Sequence, residues 1–587
     1  MNETKPIRLW PSLVIIGLAA VIAVIAPIFF TRTIVHFVGL IGAPVLAAMA
    51  VPLWWLTFSR VRGAWRWWPV LAYWLPGQIL WFFVYRGDFS VKPYQGQELK
   101  LALYLYPVVA LVWVLWLVAV LYVRQDTWEK RKRSLIGMLL LTWGLLSLVR
   151  IDGISAEMVP ELRWVWTPSA KELFEKQMNC YQNSGPRDEA MTLVTITAAD
   201  CPEFRGVQRD GIYRNQKIRT DWDVHPPKEL WRKLVGAGWG SFSVVAERAF
   251  TQEQRGNSEA VVCYQAYSGN QLWEYKIPAR FYEVIAGEGP RATPTIHDSK
   301  LYAYGATGKL CCLDAATGKE IWLRDIVTDI GATVPQWGFA SSPLVIDGKV
   351  IVFSAVKEKA VVAYSADKGD VVWSNGLGQH GYSSAHKATL HGIEQVLMVS
   401  DYGLESFRAA DGTKLWDHAW TMKGQNRVAQ PAIISDTDIL LGTAVGNGQG
   451  ARRIHVSFKD GVWTTEVVWN ARGPKPYFND GVVHNGHYYG FDDRNFVCVD
   501  LADGKIKWNA RDIYGFGQVL LVKDQNLLLV QSEKGPVALV EASPDDYNET
   551  AKFPALKDKT WNHAVLVRGK LYVRNNVEAA CYDIGEK

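Results

Sequence analysis

The 587-residue sequence is poor in the residues that most often hold metals and cofactors, with 7 cysteines, 11 histidines and 8 methionines. It has no Cys-x-x-Cys-His motif, which excludes a covalently attached c-type haem. It also has no His-Glu-x-x-His motif, no Walker A motif and no glycine-rich dinucleotide fingerprint. Zinc-peptidase, nucleotide-hydrolase and nicotinamide-dependent chemistry therefore have no support in the sequence.

Negative charge is scarce at the start of the chain. Residues 1–155 carry 15 Lys and Arg against 6 Asp and Glu, whereas the remainder carries 48 against 52. The basic excess therefore belongs to the N-terminal part, and the larger part lacks the net positive charge that a nucleic-acid-binding surface needs. We expect no nucleic-acid partner.

The N-terminal part instead contains long apolar runs. Residues 11–30 form an uncharged run of about 20 residues, enough to cross a bilayer as a helix. Further spans are predicted at 34–58, 67–85, 101–123 and 135–149. With the N-terminus inside, the inside segments hold ten Lys and Arg against four outside, in agreement with the positive-inside rule.

Five spans would make this a multi-pass protein of the bacterial inner membrane with its larger part in the periplasm, whereas four would leave that part in the cytosol. Tryptophans cluster around the second inside loop, at Trp54, Trp55, Trp65, Trp67 and Trp68. We interpret them as an aromatic interface belt, with a quinone-binding surface as the alternative. The lipid bilayer is the expected partner of these residues.

A repeat begins at about Pro226. Its clearest copies are AYSGNQLW (266–273), LDAATGKEIW (313–322), YSADKGDVVW (364–373), RAADGTKLW (408–416) and DLADGKIKW (500–508). Weaker copies end at Trp231, Trp469 and Phe553, which makes eight ends spaced 39 to 53 residues apart. Four short strands fit into this period, and the turn residues within it are typical of a β-propeller.

The chain ends with three predicted strands but without a final tryptophan strand. The segment KELWRKLV (228–235) stands alone at the start of the repeats. We predict that this early strand completes the last blade, which closes the ring and hides its edges. The predicted organisation is a transmembrane anchor of about five helices (1–150), a connector (151–225) and an all-β eight-bladed propeller (226–587).

We call these recurring segments, each a turn followed by a strand that ends in an aromatic residue, the tags. The tags, LDAATGKEIW above all, resemble the tryptophan-docking repeat of quinoproteins, the pyrroloquinoline quinone (PQQ) dehydrogenases. N-terminal spans followed by an exported propeller resemble the membrane-bound glucose dehydrogenases. The segment CPEFRGVQRDGIY (201–213) looks like the lead-in of PQQ-binding-like propeller repeat proteins, many of which have no assigned activity. The resemblance covers roughly residues 200–587, and it is more specific for the fold than for cofactor binding.

Eight segments precede the predicted innermost strands, and we call them the rim segments. They are GAGWGSFS (236–243), GEGPRATP (287–294), PQWGFASSP (335–343), HGYSSAH (380–386), QNRVAQP (425–431), PYFNDGVV (476–483), IYGFGQVL (513–520) and KTWNHAVL (559–566). Their polar residues should converge on a funnel at the ring axis. Either a ligand site or a crowded, wet axis explains this polarity.

The resemblance implies a site for PQQ, a planar cofactor with three carboxylates. Trp239, Trp337 and Trp561 are the candidates to stack on its plane. Arg291 and Arg427 are the candidates to bind its carboxylates.

The resemblance also implies Ca²⁺ and a catalytic base. Asn479 and Asp480 would supply oxygen ligands to the ion, although adjacent strand residues point to opposite sides. Asp480 is the candidate base and Lys475 the cation that would polarise the quinone oxygen. A turn-capping role for Asp480 is the alternative. His386 and His563 occupy corresponding rim positions and are expected to be hydrogen-bonded walls.

Quinoprotein alcohol dehydrogenases carry a vicinal disulfide beside the cofactor, and Cys311–Cys312 is the only neighbouring pair here. Alignment of the tags places four cysteines at one mid-strand position, namely Cys263, Cys312, Cys498 and Cys581. Equivalent positions of this kind predict small buried core residues rather than a cofactor disulfide. Cys180 and Cys201 are a candidate bridge in the connector.

Two functions are compatible with these patterns. The first is a membrane-anchored PQQ- and Ca²⁺-dependent alcohol or sugar dehydrogenase that donates electrons to membrane quinone. The second is a non-catalytic propeller that binds a protein or a glycan in the cell envelope.

Overall fold

The computed structural model describes residues 8–29, 36, 38–61, 63–80, 101–122, 128–154, 160–182, 196–283, 285–422, 427–444 and 450–586. The chain divides into two compact units. One comprises Met1–Ser169 with Tyr282–Gly287, and the other comprises Ala170–Phe281 with Glu288–Lys587. The first is mainly helical, and the second is built mainly of β-strands.

The N-terminal unit contains fewer clear membrane spans than the five predicted. Among its described helices, Val38–Phe58 and Ala102–Ala119 are long and apolar enough to cross a membrane, whereas Trp10–Ala26 and Arg133–Leu146 are shorter apolar helices. The predicted span 67–85 is described only as far as Leu80. The α-helices run over Trp10–Phe29, Ala43–Phe58, Trp68–Leu80, Tyr106–Tyr122 and Trp128–Leu146, with π turns at Val38–Gly42 and Leu101–Leu105 and a 3-10 turn at Gly63–Arg66.

The tryptophans of the second inside loop divide between the core and the surface of this unit. Trp54 and Trp55 are 3% and 2% exposed, and the ring of Trp55 lies 5.5 Å from that of Trp113. Trp67 and Trp68 are exposed. The belt interpretation therefore fits only the latter two, because the helix Ala43–Phe58 turns the first pair into the bundle.

The second unit contains a ring of eight sheets, as predicted from the repeats. We number the blades I to VIII along the chain. Blade I consists of Ser243–Val245, Arg248–Arg255, Ser258–Gln265 and Gln271–Ile277, and blade II of Thr295–His297, Lys300–Tyr304, Lys309–Asp314 and Glu320–Asp325. Blade III consists of Leu344–Ile346, Lys349–Phe353, Val361–Ser365 and Val371–Asn375, and blade IV of His386–Leu390, Ile393–Val399, Gly403–Phe407 and Lys414–Ala419. Blade V consists of Ala432–Ile433, Asp438–Thr443, Gly450–Lys459 and Val462–Ala471, and blade VI of Val482–His484, His487–Asp492, Asn495–Asp500 and Ile506–Ala510. Blade VII consists of Gln518–Val522, Leu527–Gln531, Val537–Glu541 and Glu549–Phe553.

Blade VIII contains both ends of the propeller. Its strands Val565–Val567, Lys570–Arg574 and Glu578–Asp583 are completed by Lys228–Leu234. This last strand is antiparallel to Glu578–Asp583, and Trp231 stands opposite Cys581. The predicted closure is confirmed. The remaining elements of this unit are the helices Ala170–Gln182 and Ile326–Ile330, the 3-10 turn Lys523–Gln525 and the short strand Ile212–Tyr213. The hairpin Val149–Ile154 and Pro160–Trp164 and the strand Tyr282–Glu283 belong to the helical unit, and the short strand Gly287–Glu288 lies at the boundary between the two units.

The tag tryptophans dock each blade on the next one. Trp322 of blade II donates its indole N–H to Ala366 O of blade III at 3.0 Å. Its ring covers Gly369, where a Cβ would lie 2.7 Å from the indole. The same contact joins Trp231 to Gly269, Trp273 to Gly318, Trp373 to Gly412 and Trp469 to Gly504. The recurrent glycine therefore provides both a positive φ and room for the neighbouring indole.

The tag position of blade VII was predicted wrongly. Ala551 stands opposite Leu539 directly beside the register shift, just as Trp322 stands opposite Cys312 in blade II, and Ala551 is therefore the equivalent of the docking tryptophan. Phe553 stands two residues further on, opposite Val537.

The cysteines of the tags are buried strand residues. Cys263, Cys312, Cys498 and Cys581 each stand opposite a tag tryptophan in the β-ladder. All four are free and buried, as is Cys311, and the core role predicted for them is confirmed. Cys201 is also a free, buried thiol, 3.5 Å from the hydroxyl of Tyr213. The side chain of its predicted partner, Cys180, lies outside the described residues.

Candidate functional site at the propeller axis

A segment that precedes the repeats enters the propeller axis. We call residues 196–219 the plug. Cys201 and Val244 of blade I exchange two backbone hydrogen bonds of 2.8 Å. Ile212–Tyr213 then runs parallel to the innermost strand of blade VII and adds a fifth strand to that sheet. The connector predicted for this part of the chain therefore includes a structural part of the propeller.

The plug places the buried guanidinium of Arg209 at the axis. This group donates hydrogen bonds of 2.9 Å to Ser342 O and Pro343 O of blade III. It also donates to the carboxylate of Glu203 at 2.8 Å. Burial raises the pKa of Glu203, and Arg209 opposes that shift. The pair joins the plug to the wall of the ring.

Arg205 reaches the opposite wall of the axis. It donates to Gly481 O at 2.6 Å, and its Nε lies 3.8 Å from Asp480 Oδ2. The imidazole of His563 lies 3.6 Å from the same carboxylate oxygen. Burial raises the pKa of Asp480, and Arg205 opposes that shift.

Asp480 also belongs to a chain of hydrogen bonds around the axis, which we call the axial belt. Each member stands two residues before an innermost strand. In blades II to VI its side chain accepts a hydrogen bond from the backbone N–H of the equivalent residue in the preceding blade. The bonds run from Ser241 N to Thr293 Oγ1 (2.9 Å), Thr293 N to Ser342 Oγ (3.0 Å), Ser342 N to Ser384 Oγ (2.8 Å), Ser384 N to Gln430 Oε1 (3.1 Å) and Gln430 N to Asp480 Oδ1 (2.7 Å).

The belt continues by other contacts in the last two blades. Phe516 occupies the belt position of blade VII, and Gln518 bridges there by donating to Phe478 O and Trp561 O. Ser241 Oγ donates to His563 O at 2.5 Å between blades I and VIII. Polar rim residues therefore join neighbouring blades, which was not predicted from the sequence. Aligning the rim segments on the first residues of the innermost strands would have shown a polar residue recurring two positions earlier.

The two rim histidines are neutral at neutral pH. His386 is 2% exposed and the side chain of His563 is 15% exposed, and their removal from water lowers the pKa of each to about 3. Arg209, Arg205 and Lys387 add to the shift of His386, and Arg205 adds to that of His563. Neither imidazole therefore serves as a protonated ligand for an anion at the axis.

Aromatic side chains of the rim segments form a connected row, which we call the aromatic rim. Its members are Trp239, Trp337, Tyr382, Tyr477, Phe478, Phe516 and Trp561. The centroids of Trp239 and Trp561 are 4.9 Å apart, and those of Trp337 and Tyr382 are 5.0 Å apart. The ammonium of Lys559 lies 4.5 Å from the ring of Trp561. The three predicted tryptophans are half-buried members of this row.

The predicted cationic residues point in different directions. Lys475 pairs with Asp492 at 3.7 Å. Arg291 donates to Trp337 O at 3.2 Å and covers the ring of Phe281.

The other two predicted side chains are engaged by the ring itself. Arg427 is buried, donates to Ser400 O at 2.9 Å and has its pKa lowered to about 10 by burial. Asn479 donates to Gly517 O at 2.6 Å. Of the predicted set, the structure therefore brings together the tryptophans, whereas Lys475, Arg427 and Asn479 do not converge with Asp480.

The described residues do not fit PQQ and Ca²⁺ at the predicted positions. Trp239 and Trp561 contact one another, which leaves no slot for a planar ring system between them. Asp480 has a guanidinium and an imidazole beside it, whereas Ca²⁺ requires six to eight oxygen ligands. In the part of the chain that the structure describes, no group of three or more His, Cys, Asp and Glu could hold a metal ion.

The fold and its tags define the class of protein: the propeller is an eight-bladed ring of quinoprotein-like repeats. In sequence, residues 257–510 match the family model described as "Outer membrane protein assembly factor BamB". The outer membrane protein assembly factor BamB of Yersinia pestis is 22% identical over 295 residues, which cover 45% of this chain and 70% of that protein.

Quinoproteins are also among the relatives. The quinohemoprotein alcohol dehydrogenase ADH IIB of Pseudomonas putida is 31% identical over 122 residues, or 19% of this chain. The chain spans 17% and 16% of the length of this protein and of the quinoprotein alcohol dehydrogenase PedH of the same species. Among solved structures, BamB from Moraxella catarrhalis has a TM-score of 0.43 at 15% identity and covers 61% of this chain and 97% of its own. The quinohemoprotein alcohol dehydrogenase from Comamonas testosteroni has a TM-score of 0.47 at 13% identity and covers 66% of this chain and 81% of its own.

Proposed function

We propose that the protein is a membrane-anchored, non-catalytic propeller that binds another protein of the cell envelope through its aromatic rim. The observation that carries this proposal is the engagement of Asp480. Its carboxylate completes the axial belt and faces Arg205 of the plug, so this group is committed to holding the ring together. A base that takes a proton from a substrate needs instead a carboxylate within reach of that substrate.

The aromatic rim favours a protein partner. It combines half-exposed tryptophan and tyrosine rings with Lys559 and Arg291, and Trp, Tyr and Arg are the residues most enriched at the energetic centres of protein interfaces. The similarity to the outer membrane protein assembly factor BamB supports the same class of function. The proposal takes the five α-helices described for the N-terminal unit as spans. With the N-terminus inside, as the Lys and Arg distribution favours, the propeller would then lie on the periplasmic side of a bacterial inner membrane.

The first experiment distinguishes this function from a dehydrogenase. The purified full chain in detergent is titrated with PQQ and Ca²⁺ by calorimetry and assayed for dye reduction with ethanol and glucose. We expect neither heat of binding nor dye reduction. Saturable PQQ binding with turnover that is lost in Asp480→Asn would contradict the proposal and establish the dehydrogenase.

The second experiment maps the binding face in living cells. A photo-crosslinking phenylalanine analogue replaces Trp337 on the aromatic rim or, as the control, Asp347 in the exposed hairpin at the other end of the blade III inner strand. We expect one discrete crosslinked protein from position 337 that is absent from position 347 and is lost when Trp561→Ala is added. Identical crosslinks from both positions would show that the rim is not the binding face.

A further inference from the structure

The helical unit exposes an apolar patch on a β-hairpin. Leu162 and Trp164 are 60% and 52% exposed, and Trp166 directly after the strand is 65% exposed. The two indole rings are stacked, with centroids 5.1 Å apart and planes 5° apart. Alternate residues of a strand share one face, so Leu162 continues the same patch. Exposed apolar patches of this kind mark surfaces that contact a lipid or a protein.

The patch is next to the end of a helix whose own exposed side is apolar. The hairpin begins at Val149, shortly after the helix Trp128–Leu146 ends. Leu140, Leu141 and Leu145 of that helix are 50–60% exposed. Directly after the helix, hydrogen bonds from Val165 N to Leu148 O (2.9 Å) and from Arg150 Nη2 to Thr167 O (3.1 Å) join the two arms of the hairpin. Ile151 of the hairpin is buried in the same apolar cluster as Trp143 of the helix. The apolar surface of the helix therefore continues onto the hairpin.

The opposite face of the hairpin contains two arginines. Arg163 stands between Leu162 and Trp164 in the strand and opposite Arg150 in the register. A two-stranded hairpin has unpaired edges, which the hydrocarbon core of a bilayer does not tolerate. Indole rings and arginine side chains together are instead suited to the headgroup region, where the ring is partly buried and the guanidinium meets phosphate.

We propose that the hairpin strands Val149–Ile154 and Pro160–Trp164, together with Trp166, lie in the interfacial region of the lipid bilayer and fix the depth of the helix Trp128–Leu146 in the membrane. This inference rests on the membrane anchoring of the proposed function. Its ligand is the lipid surface itself, with Leu162, Trp164 and Trp166 inserted and Arg163 directed to the headgroups.

The test compares two adjacent positions on opposite faces. Leu162→Cys and Arg163→Cys are made in a Cys180→Ser background and labelled with the environment-sensitive fluorophore NBD, since the other six cysteines are buried. The full chain is placed in nanodiscs of phosphatidylethanolamine and phosphatidylglycerol that contain a lipid spin-labelled near the headgroup. We expect the label at 162 to lose most of its emission to the spin label and to resist aqueous iodide, and the label at 163 to show the reverse preference.

A third label distinguishes the two levels of the proposal. Leu140→Cys reports on the helix. If neither 140 nor 162 is quenched by the lipid label, the membrane anchoring fails together with the inference. Two outcomes would overturn the interfacial hairpin while the membrane anchor stands. In both, the lipid spin label quenches the label at 140. The label at 162 is then either quenched by iodide or protected from both quenchers because protein covers it. Native tryptophan emission of each variant verifies that it is folded.

Discussion

Two neutral imidazoles buried beside the plug arginines make stability depend on pH. In the unfolded chain a histidine titrates near pH 6.5, whereas the pKa of His386 in the folded protein is about 3. Between these values the unfolded state binds one more proton than the folded state. The contribution of each neutral histidine to stability is therefore fully present above about pH 6.5. Below that pH the free energy of unfolding falls by about 1.4 kcal/mol per pH unit for each such histidine.

The variant His386→Gln tests this prediction. It removes the proton linkage of one group, so the loss of unfolding free energy between pH 6.5 and 5 should shrink by about 1.4 kcal/mol per pH unit. In the double variant that also contains His563→Gln, the pH dependence of the unfolding free energy should shrink by about twice as much. Urea denaturation of the full chain in detergent at several pH values measures both. A wild-type slope in His386→Gln would mean that the imidazole is solvated in the folded state.

The rim residues also show what could be read from the sequence. Trp239, Trp337 and Trp561 were predicted to stack on a planar cofactor, and the structure places them in one row of aromatic rings. The guanidinium of Arg427 binds the carbonyl oxygens of Ser400 and Trp420 instead of facing a cofactor. The identity of one residue in a rim segment does not indicate which carbonyl groups will lie close to its side chain. Long-range partners of this kind depend on the closed ring.

At the scale of secondary structure elements, the tag glycines should matter more than other glycines of positive φ. Gly369 has φ +72° and lies under Trp322, whereas Gly348 of the same blade has φ +65° with open space around its Cα. An alanine at either position costs about 1–2 kcal/mol because of its backbone conformation. Only Gly369→Ala also pushes a methyl group into the docked indole, which adds about 1–3 kcal/mol.

The pair Gly369→Ala and Gly348→Ala is therefore a matched comparison. Chemical denaturation should show a larger loss of unfolding free energy for Gly369→Ala, by about 1–3 kcal/mol. Adding Trp322→Ala to each variant should remove that difference, since the clashing ring is then absent. Equal losses in the two single variants would mean that the tag glycine serves the turn alone.

The elements themselves were largely predictable because their signals are local and repeated. Turn residues followed by tryptophan recur every 39 to 53 residues, and this recurrence predicts the number of blades and the position of the fourth strands. Blade VII shows the limit of the pattern: its register is that of the other blades, but alanine occupies the tag position at 551, so the nearest aromatic residue, Phe553, was taken for the tag. The plug was missed for a related reason: the segment 196–219 occurs once, so it has no repeat from which its position could be inferred.

At the scale of the whole molecule, the ring is closed by one strand from the beginning of the propeller. Lys228–Leu234 is attached to blade VIII by its ladder with Glu578–Asp583 and to blade I by Trp231, whose indole donates to Ala266 O at 2.8 Å. Trp508 makes the corresponding contact inside the chain, from blade VI to Ser543 O of blade VII at 2.8 Å. The two tryptophans are 8% and 7% exposed, so they are well matched.

Trp231→Ala and Trp508→Ala should each cost about 3–5 kcal/mol, since each removes a buried indole. Only Trp231→Ala weakens the strand that closes the ring, and this strand contains Lys228, Arg232 and Lys233. We therefore expect trypsin under native conditions to cleave Trp231→Ala within this strand and to leave it intact in Trp508→Ala, with mass spectrometry identifying the sites. Equal protection in the two variants would show that the ladder alone keeps the ring closed and that docking at the closure is no different from docking at any other blade interface.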